Sequence, residues 1–134
     1  MSRAHGSRGP AAPAAAARSR RGTTERGVVY GTAGGVDLKL DLYFPRTAGP
    51  WALVVAVHGG GWSGGDKAGF ALPAARRHYL VASINYRMHP AFRFPAMIED
   101  VKLAIRFLRS RAVEYHLDPE RVALGQAAGK ACAD

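Results

Sequence analysis

The residues with the clearest chemical potential form the string His-Gly-Gly-Gly-Trp at positions 58–62. They follow an unbroken, valine-rich apolar run over residues 51–57, which predicts a strand buried on both faces. Glycines at a strand's end let backbone N–H groups approach a ligand closely, because no Cβ stands in the way. Several N–H donors aimed at one point are what the oxyanion formed in acyl transfer requires. The string therefore indicates an oxyanion-binding loop; the alternative is a flexible glycine loop without a ligand.

Strands and helices alternate on both sides of this loop. Residues 68–77 predict a short helix interrupted by Pro73, residues 79–85 a second buried strand, and residues 121–124 a final short strand. Between these two strands, Pro95 opens the best helix of the chain, which we expect to run to about Tyr115. Its predicted buried face consists of Met97, Val101, Ala104, Ile105 and Leu108. This alternation predicts a parallel sheet with right-handed crossovers.

An antiparallel hairpin is predicted ahead of the parallel part. Residues 28–30 favour a short strand, Gly34 and Gly35 a turn, and residues 37–43 alternate polar and apolar side chains as a half-buried strand does. We expect the two strands to pair at the edge of the sheet. The predicted fold is therefore α/β, mostly parallel, with an antiparallel N-terminal hairpin.

The charge of the chain is unevenly distributed. The 134 residues carry a formal net charge of +9, and residues 1–22 hold five arginines and no acid. The remaining 14 basic and 10 acidic residues give only +4. Residues 1–22 also lack large apolar side chains, so we predict a disordered basic tail there and one domain over residues 23–134. The body carries no recognisable nucleic-acid motif, so only weak, salt-sensitive attraction to polyanions is expected.

A single cysteine, Cys132, excludes an internal disulfide and favours a reducing compartment. No His, Cys, Asp or Glu cluster has metal-ligand spacing, and we expect no metal and no cofactor. No apolar run approaches the ~20 residues of a membrane span. The apolar part of the N-terminus contains only alanine and proline, which is too weakly hydrophobic for a signal peptide. These observations predict a cytoplasmic protein.

Seven short motifs occur in the order and spacing typical of one family. They are Leu40-Asp-Leu-Tyr43, His58-Gly-Gly-Gly-Trp62, Gly65-Asp-Lys67, Ile84-Asn-Tyr-Arg87, Arg93-Phe-Pro-Ala96, Glu99-Asp100 and Leu117-Asp-Pro119. The chain resembles the α/β-hydrolases of the hormone-sensitive-lipase and bacterial feruloyl-esterase type from residue 28 to about residue 129. The resemblance implies hydrolysis of a small-molecule ester through an activated serine.

The resemblance also assigns roles to individual positions. It implies that the N–H groups of Gly60, Gly61 and Ala128 form the oxyanion hole, and that His58, Gly59 and Trp62 support the loop. The family's Gly-x-Ser-x-Gly elbow corresponds to residues 125–129, and the position of its serine is occupied by Ala127.

Alanine at position 127 removes the nucleophile, since a methyl group has no lone pair with which to attack a carbonyl. The family's catalytic acid and histidine would lie beyond residue 134, so the chain is expected to be a truncated domain with background activity. Ser63, in a second Gly-x-Ser-x-Gly string, and His89 are weaker stand-ins for nucleophile and base.

Two alternatives to an esterase stay open. One is a non-catalytic remnant of a hydrolase, and the other is a weak interaction module that uses its basic tail. We also expect residues 121–124 to form an open sheet edge, which favours self-association.

Overall fold

Five strands form one mixed sheet in the computed structural model, which describes residues 19–58, 77–88 and 91–127. The strands are β1 (Thr24–Ala33), β2 (Val36–Tyr43), β3 (Trp51–His58), β4 (Leu80–Ile84) and β5 (Leu117–Ala127). Two helices, α1 (Ala96–Ser110) and α2 (Ala112–Tyr115), lie between β4 and β5. The order across the sheet is β1-β2-β4-β3-β5. The predicted α/β fold is confirmed, whereas the helix predicted over residues 68–77 lies, but for its last position, outside the described residues.

The N-terminal hairpin is confirmed, with β1 at one edge of the described sheet and antiparallel to β2. Its turn is made by Gly34 and Gly35, whose φ angles of 58° and 76° are ones that side chains other than glycine rarely tolerate. Strand β1 begins at Thr24, earlier than the short strand predicted over residues 28–30. Its first residues are polar and exposed, so they form a strand by pairing with β2 and not by burial.

Strand β2 departs from the predicted polar–apolar alternation in its second half. Leu38 and Leu40 are buried as predicted, but Asp41 is fully buried beside Leu42, and Tyr43 is buried as well. The Asp41 carboxylate accepts a hydrogen bond of 2.9 Å from the backbone N–H of Gly27. Strand β2 lies between β1 and β4, so this position is covered by neighbouring strands. The hydrogen bond from Gly27 lets the Asp41 carboxylate occupy a buried position.

The parallel part of the sheet is β4-β3-β5, with β3 in the middle. Strand β5 begins at Leu117, so the short strand predicted over residues 121–124 was too short. The first contact, Trp51 with Leu117, is followed by an irregular segment before regular pairing starts. Pro119 lies in this segment, where its missing N–H costs no ladder hydrogen bond. Within this segment, the Asp118 carboxylate accepts a hydrogen bond of 2.9 Å from the backbone N–H of Glu120.

Helix α1 packs its apolar face against the sheet. Met97, Ala104 and Leu108 are buried as predicted, and Val101 and Ile105 are half-buried. The helix approaches β1 closely at Gly31, where a Cβ would lie 2.6 Å from the side chain of Leu103. The predicted single helix is interrupted at Arg111, and Pro95 precedes the first helical residue instead of occupying the first turn.

The main apolar core lies between α1 and one face of the sheet. A smaller cluster on the other face contains Tyr43, Ala56 and Val81. The fully buried side chains of the main core include Leu38, Leu40, Leu42, Trp51, Leu53, Val55, Leu80, Ala82, Ile84, Ala104 and Leu108. Among the described residues, no helix is long and apolar enough to cross a membrane.

The end of the predicted basic tail contacts this core. The guanidinium of Arg20 lies 5.5 Å from the ring centre of Phe44 and 5.2 Å from that of Tyr115. Residues 1–18 lie outside the described residues, so the division into tail and domain stays a prediction. His116 is half-buried with its ring edge-on to that of Trp51.

Candidate active site

The carboxyl ends of β3, β4 and β5 meet at one edge of the sheet, because β3 runs parallel to both neighbours. Pairing between β3 and β5 is regular from Leu53 and Val122 onwards, and it ends with His58 opposite Ala127. Neighbouring strands lie about 4.8 Å apart. The residue that opens the glycine loop and the residue at the predicted nucleophile position are therefore direct neighbours across two strands.

The structure describes only part of the predicted site. The backbone of His58 and of Ala127 is described, in β3 and β5 respectively. The other predicted members lie outside the described residues: Gly59, Gly60, Gly61, Trp62 and Ala128. The two stand-in candidates, Ser63 and His89, lie outside them as well. The roles assigned to all these residues remain predictions.

A buried ion pair stands beside this edge, just past the end of β4. The Arg87 guanidinium donates from Nη2 to Asp100 Oδ1 at 2.8 Å and from Nε to both carboxylate oxygens at 3.0 and 3.1 Å. The backbone N–H of Arg87 donates to Asp100 Oδ2 at 2.8 Å. The side chain of Asp100 is 1% exposed and that of Arg87 is 13% exposed. The carboxylate thus fixes both the backbone and the side chain of the residue that leads away from β4.

A tyrosine from β1, the outer strand of the sheet, completes this polar cluster. The hydroxyl of Tyr30 in β1 donates a hydrogen bond to the backbone carbonyl of Asn85. Burial raises the pKa of Tyr30 well above its ordinary value, and the negative charge of Asp100 raises it further. Hydrogen bonding to Asp100 raises the pKa of Arg87, which stays charged. The cluster therefore holds one buried pair of opposite charges and a neutral phenol.

The segment after β4 is folded around Arg87. The N–H of Phe92 donates to the carbonyl of Met88 at 3.0 Å, and the ring centre of Phe92 lies 5.6 Å from the Arg87 guanidinium. We assign no catalytic nucleophile or base to the described part of this cluster, because the Asp100 carboxylate is bound to Arg87. Its chemical role is to hold the chain beside the edge where β3 and β5 end.

The cluster contains a residue that the sequence interpretation did not predict to be buried, Asp100. A signal was available, because Asp100 lies three residues after Met97 and four before Ala104, on the apolar face of α1. An acidic residue on an apolar face, with an arginine directly after a buried strand, favours an internal ion pair.

The raised pKa of Tyr30 predicts how stability depends on pH. Above its ordinary pKa of about 10, tyrosine ionises in the unfolded chain while Tyr30 stays protonated in the folded one. The free energy of unfolding should therefore fall as the pH rises above 10, by up to about 1.4 kcal/mol per pH unit for one proton. In Tyr30→Phe this fall should be smaller, as measured by urea unfolding between pH 9 and 11.

Tyr79→Phe is the matched control for this experiment, because Tyr79 is 42% exposed and lies outside the buried cluster. It should keep the slope of the unsubstituted chain. Equal slopes for Tyr30→Phe and the unsubstituted chain would contradict the prediction.

The described residues contain no group of three or more His, Cys, Asp or Glu side chains placed to hold a metal ion.

The strand order and the shared edge define a class of protein. A parallel β4-β3-β5 unit preceded by an antiparallel hairpin, with His58 and Ala127 on adjacent strands, is the first part of an α/β-hydrolase sheet. The BD-FAE family model, which describes esterases of the feruloyl-esterase and hormone-sensitive-lipase type, matches residues 40–133. The chain belongs to this family.

Proteins with similar sequences include esterases and a deacetylase. The chain is 38% identical over 109 residues to the probable isoprenylcysteine alpha-carbonyl methylesterase ICMEL1 of Arabidopsis thaliana, covering 78% of this chain and 22% of the relative. It is 37% identical over 112 residues to the carboxylesterase NlhH of Mycobacterium tuberculosis, covering 78% and 34%. Identity to the arylacetamide deacetylase of Oryctolagus cuniculus is 44% over 82 residues, covering 54% and 21%. The chain thus spans about a fifth to a third of the length of these relatives.

Solved structures agree on the fold. Esterase 2 of Thermogutta terrifontis phosphorylated by paraoxon superimposes with a TM-score of 0.67 at 29% identity, covering 77% of this chain and 42% of the esterase. The same esterase in its native form gives a TM-score of 0.64 at 28% identity.

Proposed function

We propose that this chain carries the oxyanion loop and the nucleophile position of a carboxylic-ester hydrolase with an acyl-serine mechanism. The observation that carries the proposal is the pairing of His58 with Ala127 at the ends of adjacent parallel strands. A serine at position 127 would stand next to the start of the glycine loop. An attacked carbonyl carbon would then have its oxygen within reach of the loop's N–H groups, as acyl transfer requires.

The relatives support a proposal for the substrate class. The relatives described above include a carboxylesterase, a probable methylesterase and a deacetylase, names that denote cleavage of ester or acyl bonds. Esterase 2 of Thermogutta terrifontis is phosphorylated by paraoxon. We propose small-molecule esters as the substrates of the whole protein.

Within this proposal, Ala127 prevents the covalent step in the chain as it stands. The hole would be formed by the N–H groups of Gly60, Gly61 and Ala128, with His58, Gly59 and Trp62 holding the loop. These groups can stabilise an oxyanion, but without a nucleophile no acyl-enzyme forms. We propose that this chain alone hydrolyses esters at or near the background rate.

A chimera makes the proposal testable. In it, the aligned segment of the carboxylesterase NlhH is replaced by the matching residues of this chain, so that NlhH supplies the remainder of the molecule. Two versions differ only at position 127, one with the alanine of this chain and the other with Ala127→Ser. Hydrolysis of p-nitrophenyl butyrate reports on the assembled site.

The oxyanion hole is tested by removing one donor in the version that carries Ala127→Ser. Gly61→Pro removes the N–H that the proposal assigns to the hole, and kcat should fall by about 10²–10³. Gly61→Ala keeps the N–H and serves as the matched control for added bulk. Equal kcat values for the proline and alanine variants would show that this N–H is not a donor.

The interaction-module alternative depends on the basic tail. Arg20, in the described end of the tail, lies over Phe44 and Tyr115 and forms an ion pair with Glu25 at 3.7 Å. These contacts favour a structural role for Arg20 over binding to an external polyanion. The esterase proposal is therefore preferred.

A further inference from the structure

The turn of the N-terminal hairpin lies at the same edge of the sheet as the candidate active site. Strand β2 runs antiparallel to β4, with Leu40 opposite Ile84, the last residue of β4. The four residues of β2 that precede Leu40 lead back to the turn at Gly34 and Gly35. At a rise of about 3.4 Å per residue, they carry the turn roughly 13 Å past the end of β4. The hairpin therefore extends beyond the edge where the parallel strands end.

Both backbone polar groups of Asn85 are bonded to this hairpin. Asn85 is the first residue after β4, and the register of β3 with β4 places it beside His58, the residue that leads to the glycine loop. Its N–H donates to the carbonyl of Lys39 in β2 at 2.9 Å. Its carbonyl accepts a hydrogen bond from the hydroxyl of Tyr30 in β1. Each strand of the hairpin thus holds the residue that flanks the start of the loop.

The turn of the hairpin makes a third contact, with the chain that continues from Asn85. A Cβ at Gly34 would lie 2.8 Å from the ring of Phe92 and 3.4 Å from a guanidinium nitrogen of Arg87. A Cβ at Gly35 would have no heavy atom of the described residues within 4 Å. The absence of a side chain at Gly34 therefore lets the turn lie directly against Phe92, which in turn packs on the guanidinium of Arg87.

We propose that the N-terminal hairpin is a positioning element of the active site, an inference that rests on the proposed function. The hairpin holds the chain that leaves β4 at Asn85 and at Phe92, and Asn85 lies beside the start of the glycine loop. Displacing a reacting group by about 1 Å can cost on the order of 10²-fold in rate, even when the cause lies far from the chemistry. Tyr30 and Gly34 act through the chain they contact, so they are positioning residues and not catalytic ones.

Hydrogen exchange in the full chain tests the contact between the turn and the chain that leaves β4. Gly34→Ala and Gly35→Ala both place alanine at a positive φ, but only Gly34→Ala drives a methyl group into the ring of Phe92. The amides of Arg87 and Phe92 should exchange roughly tenfold faster in Gly34→Ala than in Gly35→Ala. The amide of Val55 in β3 corrects for any difference in global stability. Equal exchange in the two variants would overturn the proposal.

Catalysis is measured in the NlhH chimera with Ala127→Ser, built to include the whole hairpin. Titration with paraoxon counts the folded sites, so kcat per titrated site excludes losses through unfolding. Gly34→Ala should lower this kcat by about 10–10², with little change in KM, because the oxyanion donors act in the transition state. Gly35→Ala should retain it. The double substitution Gly34→Ala with Phe92→Leu should match Phe92→Leu alone, since leucine lacks the ring atom that the new methyl group meets.

The outcomes separate this inference from the proposed function. An active chimera whose kcat per site is the same in Gly34→Ala and Gly35→Ala would overturn the inference alone, even if their exchange rates differ. A chimera with Ala127→Ser that is inactive before any change in the hairpin would refute the proposed function, and this inference with it. If Gly34→Ala does not fold, Tyr30→Phe decides, with Tyr79→Phe as its control. A lower kcat per site in Tyr30→Phe alone supports the inference, and equal values overturn it.

Discussion

Serine at position 127 is expected to raise kcat of the NlhH chimera for p-nitrophenyl butyrate by about 10⁶. Loss of the nucleophile from an otherwise complete serine hydrolase costs about this factor, because the oxyanion hole and binding alone accelerate the reaction only modestly over water. The expectation rests on the backbone pairing of Ala127 with His58, the residue before the glycine loop. The version with alanine should hydrolyse p-nitrophenyl butyrate at a rate close to that of the uncatalysed reaction.

Covalent labelling gives an independent measure of the same change. The version with Ala127→Ser should be modified by paraoxon with a stoichiometry approaching one, as observed by mass spectrometry, and the version with alanine should not. Ser63→Ala in the active version controls for the second Gly-x-Ser-x-Gly string and should leave both measurements unchanged. Paraoxon labelling of the alanine version, lost with Ser63→Ala, would instead identify Ser63 as the nucleophile.

Asp100→Ala is expected to lower the free energy of unfolding by about 3–5 kcal/mol, which is the typical cost of breaking a buried ion pair. The substitution removes the acceptor of four hydrogen bonds from Arg87 and leaves the guanidinium, 13% exposed, without its buried partner. Urea unfolding followed by circular dichroism measures the change. Since single domains are stable by only ~5–15 kcal/mol, a large part of the chain's stability is at stake.

Glu99→Ala is the matched control, because Glu99 is adjacent on the same helix and also pairs with Arg87. The distance is 3.6 Å and the Glu99 side chain is 63% exposed, so its removal should cost about 0–1 kcal/mol. The double substitution Arg87→Met with Asp100→Leu should cost less than Asp100→Ala, because no unpaired charge stays buried. Similar losses for Glu99→Ala and Asp100→Ala would contradict the burial argument.

Much of the fold was predictable because hydrophobic periodicity and glycine turns act locally. The valine-rich run of β3, the Gly34–Gly35 turn and the apolar face of α1 each carry their own signal within a few residues. The boundaries were less predictable. Strand β1 begins in a polar segment and β5 in a segment containing Pro119, and both are strands because of their neighbours in the sheet.

The candidate site was predictable only as a set of motifs. The glycine loop and the elbow are separated by more than sixty residues in the sequence. The fold places His58, which precedes the glycines of the loop, opposite Ala127, at the serine position of the elbow. The pairing of Arg87 with Asp100 was not predicted. The position of Asp100 on the apolar face of α1 indicated burial, but only the fold shows that Arg87 is its partner.

The sequence by itself determined the class of fold, the family resemblance and the absence of a nucleophile at Ala127, because each depends on residue types at given positions. Only the tertiary structure decided that β3 and β5 are neighbours in register, that Asp41 and Asp100 are buried, and that Leu124 stays uncovered beside α1. The physical reason is that burial and pairing depend on which elements meet. Residues distant in the chain become neighbours only when the sheet assembles.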